Sequence, residues 1–492
     1  MSDIREILLG LSEVEKKERL KVKSDYYFYK GKCADEKAAK VDKVLLGQNW
    51  EVNDNVDYIP AQDIRNKVKP LLKKQARFMF GNEPFINFKP DNPADNEKCE
   101  ELRRFIDDVL ELNQFWKNTR KAFLMSTIKK RVLLRVEANP GMPIVIKYEN
   151  IEDFYYKEQN GVLLEVKFFE EDESNAFAEA DKDKIYYVHA YYYDRENESS
   201  EAQAYYKRQT FKGDDTSNPI EETIQPTGFN AIPCWLIKNG GELGDEFGES
   251  DVDELRELQN QYNRKNSDFA DALRFQMFGA ESIIDGDPED VARLTIAPNA
   301  VHAIRTEANA AENGKQATHN RLEYNFGSSE AINSYLDRID KDMRDILDMP
   351  AIKDLTNIPS AKAMKYMYND LISRCEEKWN DWEPIFKELI QFILEAAQYS
   401  YKGLFKNEWL VLKYTLVFSH NYPLPADEED KKRLAMEEVQ SNVRSHRSYI
   451  KDFSDDEDAE AQFKEIIEDN TAIAAAEQDQ FQQGVTGEAG DE

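Results

Sequence analysis

Side chains able to do chemistry are plentiful in this chain, yet their spacing assembles no reactive site. Gly314-Lys315, in ENGKQATH, lacks the first glycine and the Ser or Thr of a phosphate loop, whose amides must cradle the phosphates. The run GGELGDEFG (240–248) is rich in glycine, but its carboxylates would repel phosphate, so it reads as a hinge. His189, His302, His319, His420 and His446 show no HExxH spacing and no adjacent Cys or His, whereas a zinc site needs several such donors converging. Asp455, Asp456, Glu457 and Asp458 carry the charge of a calcium loop without its glycine or terminal ligand, and read as helix-start charge. No GxSxG or Cys–His signature appears. The expectation is a protein that is not an enzyme, with no catalytic residues, no cofactor and no metal.

Two basic stretches are candidate nucleic-acid contacts. Lys67, Lys69, Lys73, Lys74 and Arg77 are spread around an amphipathic helix, as on a solvated face. Lys117, Lys121, Lys129, Lys130 and Arg131 form the weaker candidate. Trp379 and Trp382 lie on an apolar stripe and read as core rather than as a base-stacking platform. With 96 acidic and 65 basic residues the formal charge is −31. That balance argues against a surface built to grip phosphates, which needs clustered Lys and Arg. It does not exclude DNA as cargo, since a surface that DNA slides past should repel phosphates rather than hold them.

The elements that would position such groups follow from periodicity. At 492 residues the chain is too long for one core and has the length of roughly three domains. Cys33, Cys99, Cys234 and Cys375 form no CxxC pair and read as reduced thiols of a cytoplasmic product. MSDIREILLGL has no basic n-region, and no apolar run approaches the ~18 residues of a membrane span, so a soluble protein is expected. Helices are expected over 3–29, with Gly31 as the stop, and over about 61–80 and 95–136. Residues 144–148, 162–170, 184–193 and 202–211 read as a meander of strands. A helix opens at Ser250 with the stripe Leu255, Leu258, Tyr262, Phe269, Leu273 and Met277. ESIID, AVHAIRT and RLEYNF read as strands of a small insertion around the loop Asn309–Asn320. A second helix, 328–347, faces Ile332, Leu336, Ile339, Met343 and Ile346 one way. The longest periodic run starts at Ser360; Pro384 should kink or split it, and Gly403 should end it. A strand over about 408–419, acidic helices over 426–478 and a low-complexity tail complete the chain.

In this order, several phrases resemble the portal proteins of tailed bacteriophages, particularly long-tailed ones. They are SDYYFYKGK (24–32), DIRNKVKPLLKKQARFMFGNEPFINF (63–88), TGFNAIPCWLIKN (227–239) and GESDVDELRELQNQYNRKNSDFADALR (248–274), then IPSAKAMKYMYNDLISRCEEKW (358–379) and FSHNYPLPADEEDKKR (418–433). Within the fourth, Asp251, Tyr262-Asn263 and Ser267-Asp268 match the family's recurrent pattern. LMSTIKKRVLLRVEANPG (124–141) departs from it by lacking a Tyr-Gly phrase.

The resemblance implies an α+β portal fold with wing, stem, clip and crown regions. Residues 1–240 and 360–421 would be wing, 241–278 and 328–348 the stem helices, and 279–327 the clip. Residues 349–359 would be a tunnel loop, with Ile352, Lys353, Asp354, Leu355 and Thr356 facing the DNA channel. Residues 422–478 would be crown, and 479–492 a disordered tail. It further implies a homo-oligomeric ring, usually of twelve subunits, at one capsid vertex of the virion, assembled in the host cytoplasm. The ring would pass double-stranded DNA during packaging and ejection. Its partners would be the terminase motor, major capsid and scaffold proteins, and head-completion or adaptor proteins, without a membrane. A packaging enzyme such as a terminase subunit would need a phosphate loop or a carboxylate metal cluster. Another head–tail connector would lack this mixture of meander, paired helices and long helix.

Overall fold

Turn chemistry and apolar spacing decide where each element begins. Ser12 caps a helix by accepting from the Glu15 amide, and Gly31, at φ 68°, ends it in the left-handed conformation. The expected 3–29 helix is therefore two: α1 (Ile4–Leu9) and α2 (Glu13–Lys30). The computed structural model describes residues 4–31, 60–177, 180–193, 203–213, 215–242, 244–277, 281–294, 304–321, 329–350, 365–401, 403–424, 428–441, 443–453, 463–468 and 471.

The chain divides into two units, 1–351 with 368–423, and 352–367 with 424–492. In the first, α3 (Val68–Met79) leads into β1 (Phe85–Pro90), then α4 (Asn96–Leu112) and α5 (Phe115–Lys129). Next come β2 (Arg131–Glu137), β3 (Val145–Glu149), β4 (Phe154–Gln159), β5 (Val162–Glu171), β6 (Ile185–Tyr193), β7 (Ala204–Lys212), β8 (Glu221–Pro226) and β9 (Cys234–Lys238). They form an antiparallel sheet β3-β2-β9 and the five-stranded meander β4-β5-β6-β7-β8. The two-residue turn Asn160-Gly161, with φ 52° and 79°, joins β4 to β5, because such a hairpin turn needs positive φ at both positions.

Then follow α6 (Asp251–Met277), β10 (Glu281–Ile284), the short α7 (Pro288–Ala292) and α8 (Ala308–Glu312), β11 (Thr318–Arg321), α9 (Ser329–Ile346) and α10 (Asn369–Ser400). β10 pairs with β11, and β12 (Tyr414–Ser419) pairs back with β1. In the second unit α11 (Glu428–Gln440) packs on α12 (His446–Phe453), with Ala435 and Ile450 buried.

Several boundaries differ from the sequence expectations. The 61–80 helix starts only at Val68, and residues 60–67 form neither helix nor strand. The 95–136 helix is α4, α5 and strand β2, broken at Gln114, which takes φ 47°. The expected loop Asn309–Asn320 contains most of α8 and of β11. The strand expected over 408–419 starts at Tyr414, after a 3-10 turn at Asn407–Leu410. Ser360 lies outside the described residues, and α10 runs unbroken through Pro384 to Ser400. Residues 322–326 of RLEYNF and the tail 479–492 also lie outside the described residues.

An aromatic core joins α3, α5, α10 and β12. Trp382 is 1% exposed and Trp379 8%, so both are core, and Phe80, Phe123, Phe386 and Phe418 surround them. His420 stacks on Trp379 at 4.8 Å and its Nε2–H donates to the Met79 carbonyl at 2.5 Å. Burial pushes this imidazole below its ordinary pKa, so it is a neutral packing group.

Candidate functional site: the paired helices and their anchors

α6 and α9 lie against each other, joined in sequence by the module that contains β10 and β11. On α9 the expected stripe is inward: Leu336, Ile339 and Met343 are buried. On α6 the outcome is different. Leu255 and Tyr262 are buried, but Leu273 remains 40% exposed, and the fully buried positions include Gln259, Asn263 and Ser267.

These polar groups are occupied by segment 60–67. The amides of Ala61, Asp63, Arg65 and Lys67 donate in turn to Asp271 (2.9 Å to each oxygen), Ser267 Oγ (3.1 Å), Asn263 Oδ1 (3.1 Å) and Gln259 Oε1 (2.8 Å). The amide groups of Gln259 and Asn266 donate back to the carbonyls of Arg65 (2.8 Å) and Asp63 (2.9 Å). The match is geometric. Two residues of extended chain advance ~6.6 Å and four helical residues ~6 Å, so alternate amides meet side chains one turn apart. This ladder explains why residues 60–67 are not helical despite helical spacing in the sequence.

The first turn of α6 is tied into the body by a buried clasp. Lys378 Nζ donates to Asp251 Oδ1 (3.0 Å) and Asn239 Oδ1 (2.7 Å), and Asn239 Nδ2 also donates to Asp251 Oδ1 (3.1 Å). Arg374 reaches Asp251 (3.6 Å), Glu254 (3.3 Å) and Asp348 (3.8 Å), and donates to the Ile346 carbonyl (3.0 Å). One guanidinium on α10 thus meets the start of α6 and the end of α9. Burial works to raise the Asp251 carboxyl, but Lys378 and Arg374 outweigh it and hold it below its ordinary range. The glycine run delivers the chain to this clasp: Gly240, Gly241, Gly244 and Gly248 all take positive φ. A Cβ on Gly248 would also stand 3.0 Å from the Lys130 carbonyl oxygen.

A second buried cluster fixes α2. Arg131 is 0% exposed, and its Nη2 donates to both Glu15 oxygens (2.8 and 2.9 Å), while Arg19 Nε donates to the same carboxylate (2.9 Å). Lys129 pairs with Glu152 and Lys130 with Glu18, each at 2.7 Å. The second basic stretch is therefore spent, at 129–131, on internal ion pairs and not on a nucleic-acid face. Between α2 and α6, Asp25 bonds Arg256 at 2.6 Å, yet burial still pushes its carboxyl up to about 6. On α3, Lys73 and Arg77 are exposed and Lys67 pairs with Asp340 at 3.1 Å, as on a solvated face.

A cavity of about 830 Å³ lies beside the two sheets and includes Arg135, Glu137, Glu149, Glu170, His189 and Tyr206. Its charges close on one another: Arg135 with Glu137 and Glu149, and His189 with Glu170 (3.2 Å) and Tyr206 (2.6 Å). Burial pushes the His189 imidazole below its ordinary pKa. Among the described residues no three His, Cys, Asp or Glu side chains are grouped to hold a metal, and no helix is long and apolar enough to cross a membrane.

Ile352, Lys353, Asp354, Leu355 and Thr356, the channel residues expected from the sequence, lie outside the described residues. The structure reaches their approach, where Met349 is buried and its amide donates to the Arg344 carbonyl at 2.9 Å. Sequence reasoning missed the ladder, although its signal was present: Gln259, Asn263, Ser267 and Asp271 recur at every fourth residue.

No curated protein matches the chain in sequence. Among solved structures it is similar to a chain of the "Neck of native GTA particle computed with C12 symmetry", at 11% identity, covering 77% of this chain and 87% of that one, with a TM-score of 0.41. A family model described as "Phage portal protein, SPP1 Gp6-like" matches residues 11–475. With that model spanning nearly all of its 492 residues, the chain belongs to the SPP1 Gp6-like family of phage portal proteins.

Proposed function

We propose that this protein forms a closed ring, of twelve subunits, at one capsid vertex of the virion and serves as the channel for double-stranded DNA. Membership of the portal family carries the reading, and it supports a structural role in the head–tail connection. In support, α6 and α9 are anchored together at one end and joined through the β10–β11 module at the other. That arrangement fits two stem helices (241–278 and 328–348) carrying a clip (279–327). Residues 1–240 and 360–421 would be wing, 422–478 crown and 349–359 the tunnel loop. The clip would dock the terminase motor and later the head-completion or adaptor proteins, and the wing would meet capsid and scaffold proteins. Assembly would take place in the host cytoplasm.

The experiment is native mass spectrometry with negative-stain imaging of the purified protein. Closed rings with an axial hole are expected without DNA or nucleotide, since heterologous contacts close when the rotation allows. Monomers or dimers under all solution conditions would overturn the reading.

The channel assignment has its own test. Ile352–Thr356 offer one Lys and one Asp per subunit, enough to touch a duplex bearing a charge per ~1.7 Å but not to hold it. Replacing Ile352–Thr356 by a Gly/Ser linker should leave rings in heads while packaged or retained DNA falls. Equal DNA per head at matched incorporation would reduce the segment to a connector.

A further inference from the structure

The ladder between segment 60–67 and α6 joins main-chain amides on one side to side chains on the other. Its rungs therefore do not depend on which side chains the segment carries. They differ in how firmly each end is held. At the Lys67 end, the Lys67 ammonium meets Asp340 (3.1 Å) and lies over the Tyr262 ring (5.2 Å). There Asn66 donates to the Tyr29 carbonyl (2.9 Å) and accepts from the Lys69 amide (3.1 Å), while Val68 is fully buried as α3 begins. At the other end, Ala61 is held by Asp271, the most exposed of the ladder residues on α6 (9%). Beyond Asp271, toward the C-terminus of α6, Leu273 and Phe275 are each 40% exposed.

We propose that residues 60–67 are a graded latch on α6, which opens one rung at a time from Ala61 toward Lys67. Each opened rung frees one further turn of α6 from the body, so the latch sets how much of the outer half of the helix can move. Opening is stepwise because each rung is a separate hydrogen bond. It is directional because the Lys67 end continues into the buried start of α3, whereas the Ala61 rung closes on the most exposed ladder residue of α6. An apolar seam would part all at once, and this polar one yields ~6 Å at a time.

Residue-resolved hydrogen exchange on the full protein, in whatever oligomeric state it adopts, tests the order. In the unaltered protein, exchange should be fastest at Ala61 and slow progressively through Asp63 and Arg65 to Lys67. Ser267→Ala removes the acceptor of the Asp63 rung. In a zipper, reaching Arg65 or Lys67 requires that rung to open first. Exchange at Asp63, Arg65 and Lys67 should then quicken by a common factor, roughly fivefold for one hydrogen bond, with Ala61 unchanged. Acceleration confined to Asp63 would mean independent rungs and overturn the proposal. Equal acceleration at all four amides, or along α6 as well, would mean one cooperative unit and also overturn it. No change anywhere would show that the rung carries nothing. As a second variant, Asp63→Pro deletes a donating amide and should reproduce the pattern at Arg65 and Lys67, whereas Ile64→Pro deletes a non-donating one and should not.

Discussion

Replacing Glu15 by Ala should lower hydrogen-exchange protection across α2 and β2 by roughly a hundred- to several-thousandfold. The carboxylate is the shared partner of two buried guanidiniums: Arg131, with no exposed surface, and Arg19, 9% exposed. Removing one partner of a buried ion pair leaves uncompensated charge and costs about 3–5 kcal/mol. Arg131 has no route to water, because its guanidinium is packed over Phe247 (4.6 Å) and Tyr156 (5.6 Å). Arg19 retains its bond to the Glu152 carbonyl and therefore contributes less to the loss. Burial alone already works to lower the Arg19 pKa, which shows how costly its charge is at this position. The control is Glu15→Leu with Arg131→Met, which removes both charges together and should recover most of the protection. If the single variant keeps normal protection, or the double is worse than the single, the cluster is not what holds α2 to the sheet.

How much of this architecture the sequence revealed depended on which physical signal each element carried. β5, β6 and β7 were legible because long β-branched and aromatic runs alternate between turn clusters, and all three are found within a residue or two of the expected bounds. α9 was legible because its apolar stripe is its buried face. β2 was not: RVLLRVE is central in its sheet, with Val132, Leu133, Leu134 and Val136 all buried, and a continuous apolar run after a helix has no period to separate it from more helix. β4 was missed although Asn160-Gly161 marks its hairpin.

The candidate site divides in the same way. The start of α6, its partner α9 and the hinge-like glycines were readable from local spacing. The ladder and the clasp were not, because each joins positions far apart in sequence: 61 with 271, 239 with 251 and 378. The apolar stripe proposed for α6 was half the story. Its polar residues one turn apart, which look like a solvated face in one dimension, are the buried ones in three.

Replacing Asp251 by Ala should cost about 3–5 kcal/mol locally and loosen α6, α9 and α10 together, because its carboxylate is the common partner of Lys378 and, less closely, of Arg374. Asp251 is 2% exposed at the first residue of α6, where a negative charge also suits the helix dipole. Lys378→Met should cost less than Asp251→Ala, since Asp251 keeps Arg374 at 3.6 Å and the Asn239 amide at 3.1 Å. The sign of the pH dependence is fixed by the direction of the shift. The folded carboxyl lies below its ordinary value, so its contribution is complete above about pH 4 and is lost as pH falls through the lowered folded value. Asp25 has the opposite sign: raised to about 6, it binds a proton in the folded state between about pH 4 and 6, so its contribution declines as pH rises through that window. Measuring protection of α6 from pH 7 down to 3 separates the two. In Asp251→Ala the loss below pH 4 should flatten while the Asp25 trend between 4 and 6 remains. Limited proteolysis near the end of α9 should quicken in step, because Arg374, which donates to the Ile346 carbonyl, has lost one of the charges that orient it. Unchanged cleavage there, with α6 protection falling, would show that the clasp serves α6 alone and does not couple the two helices.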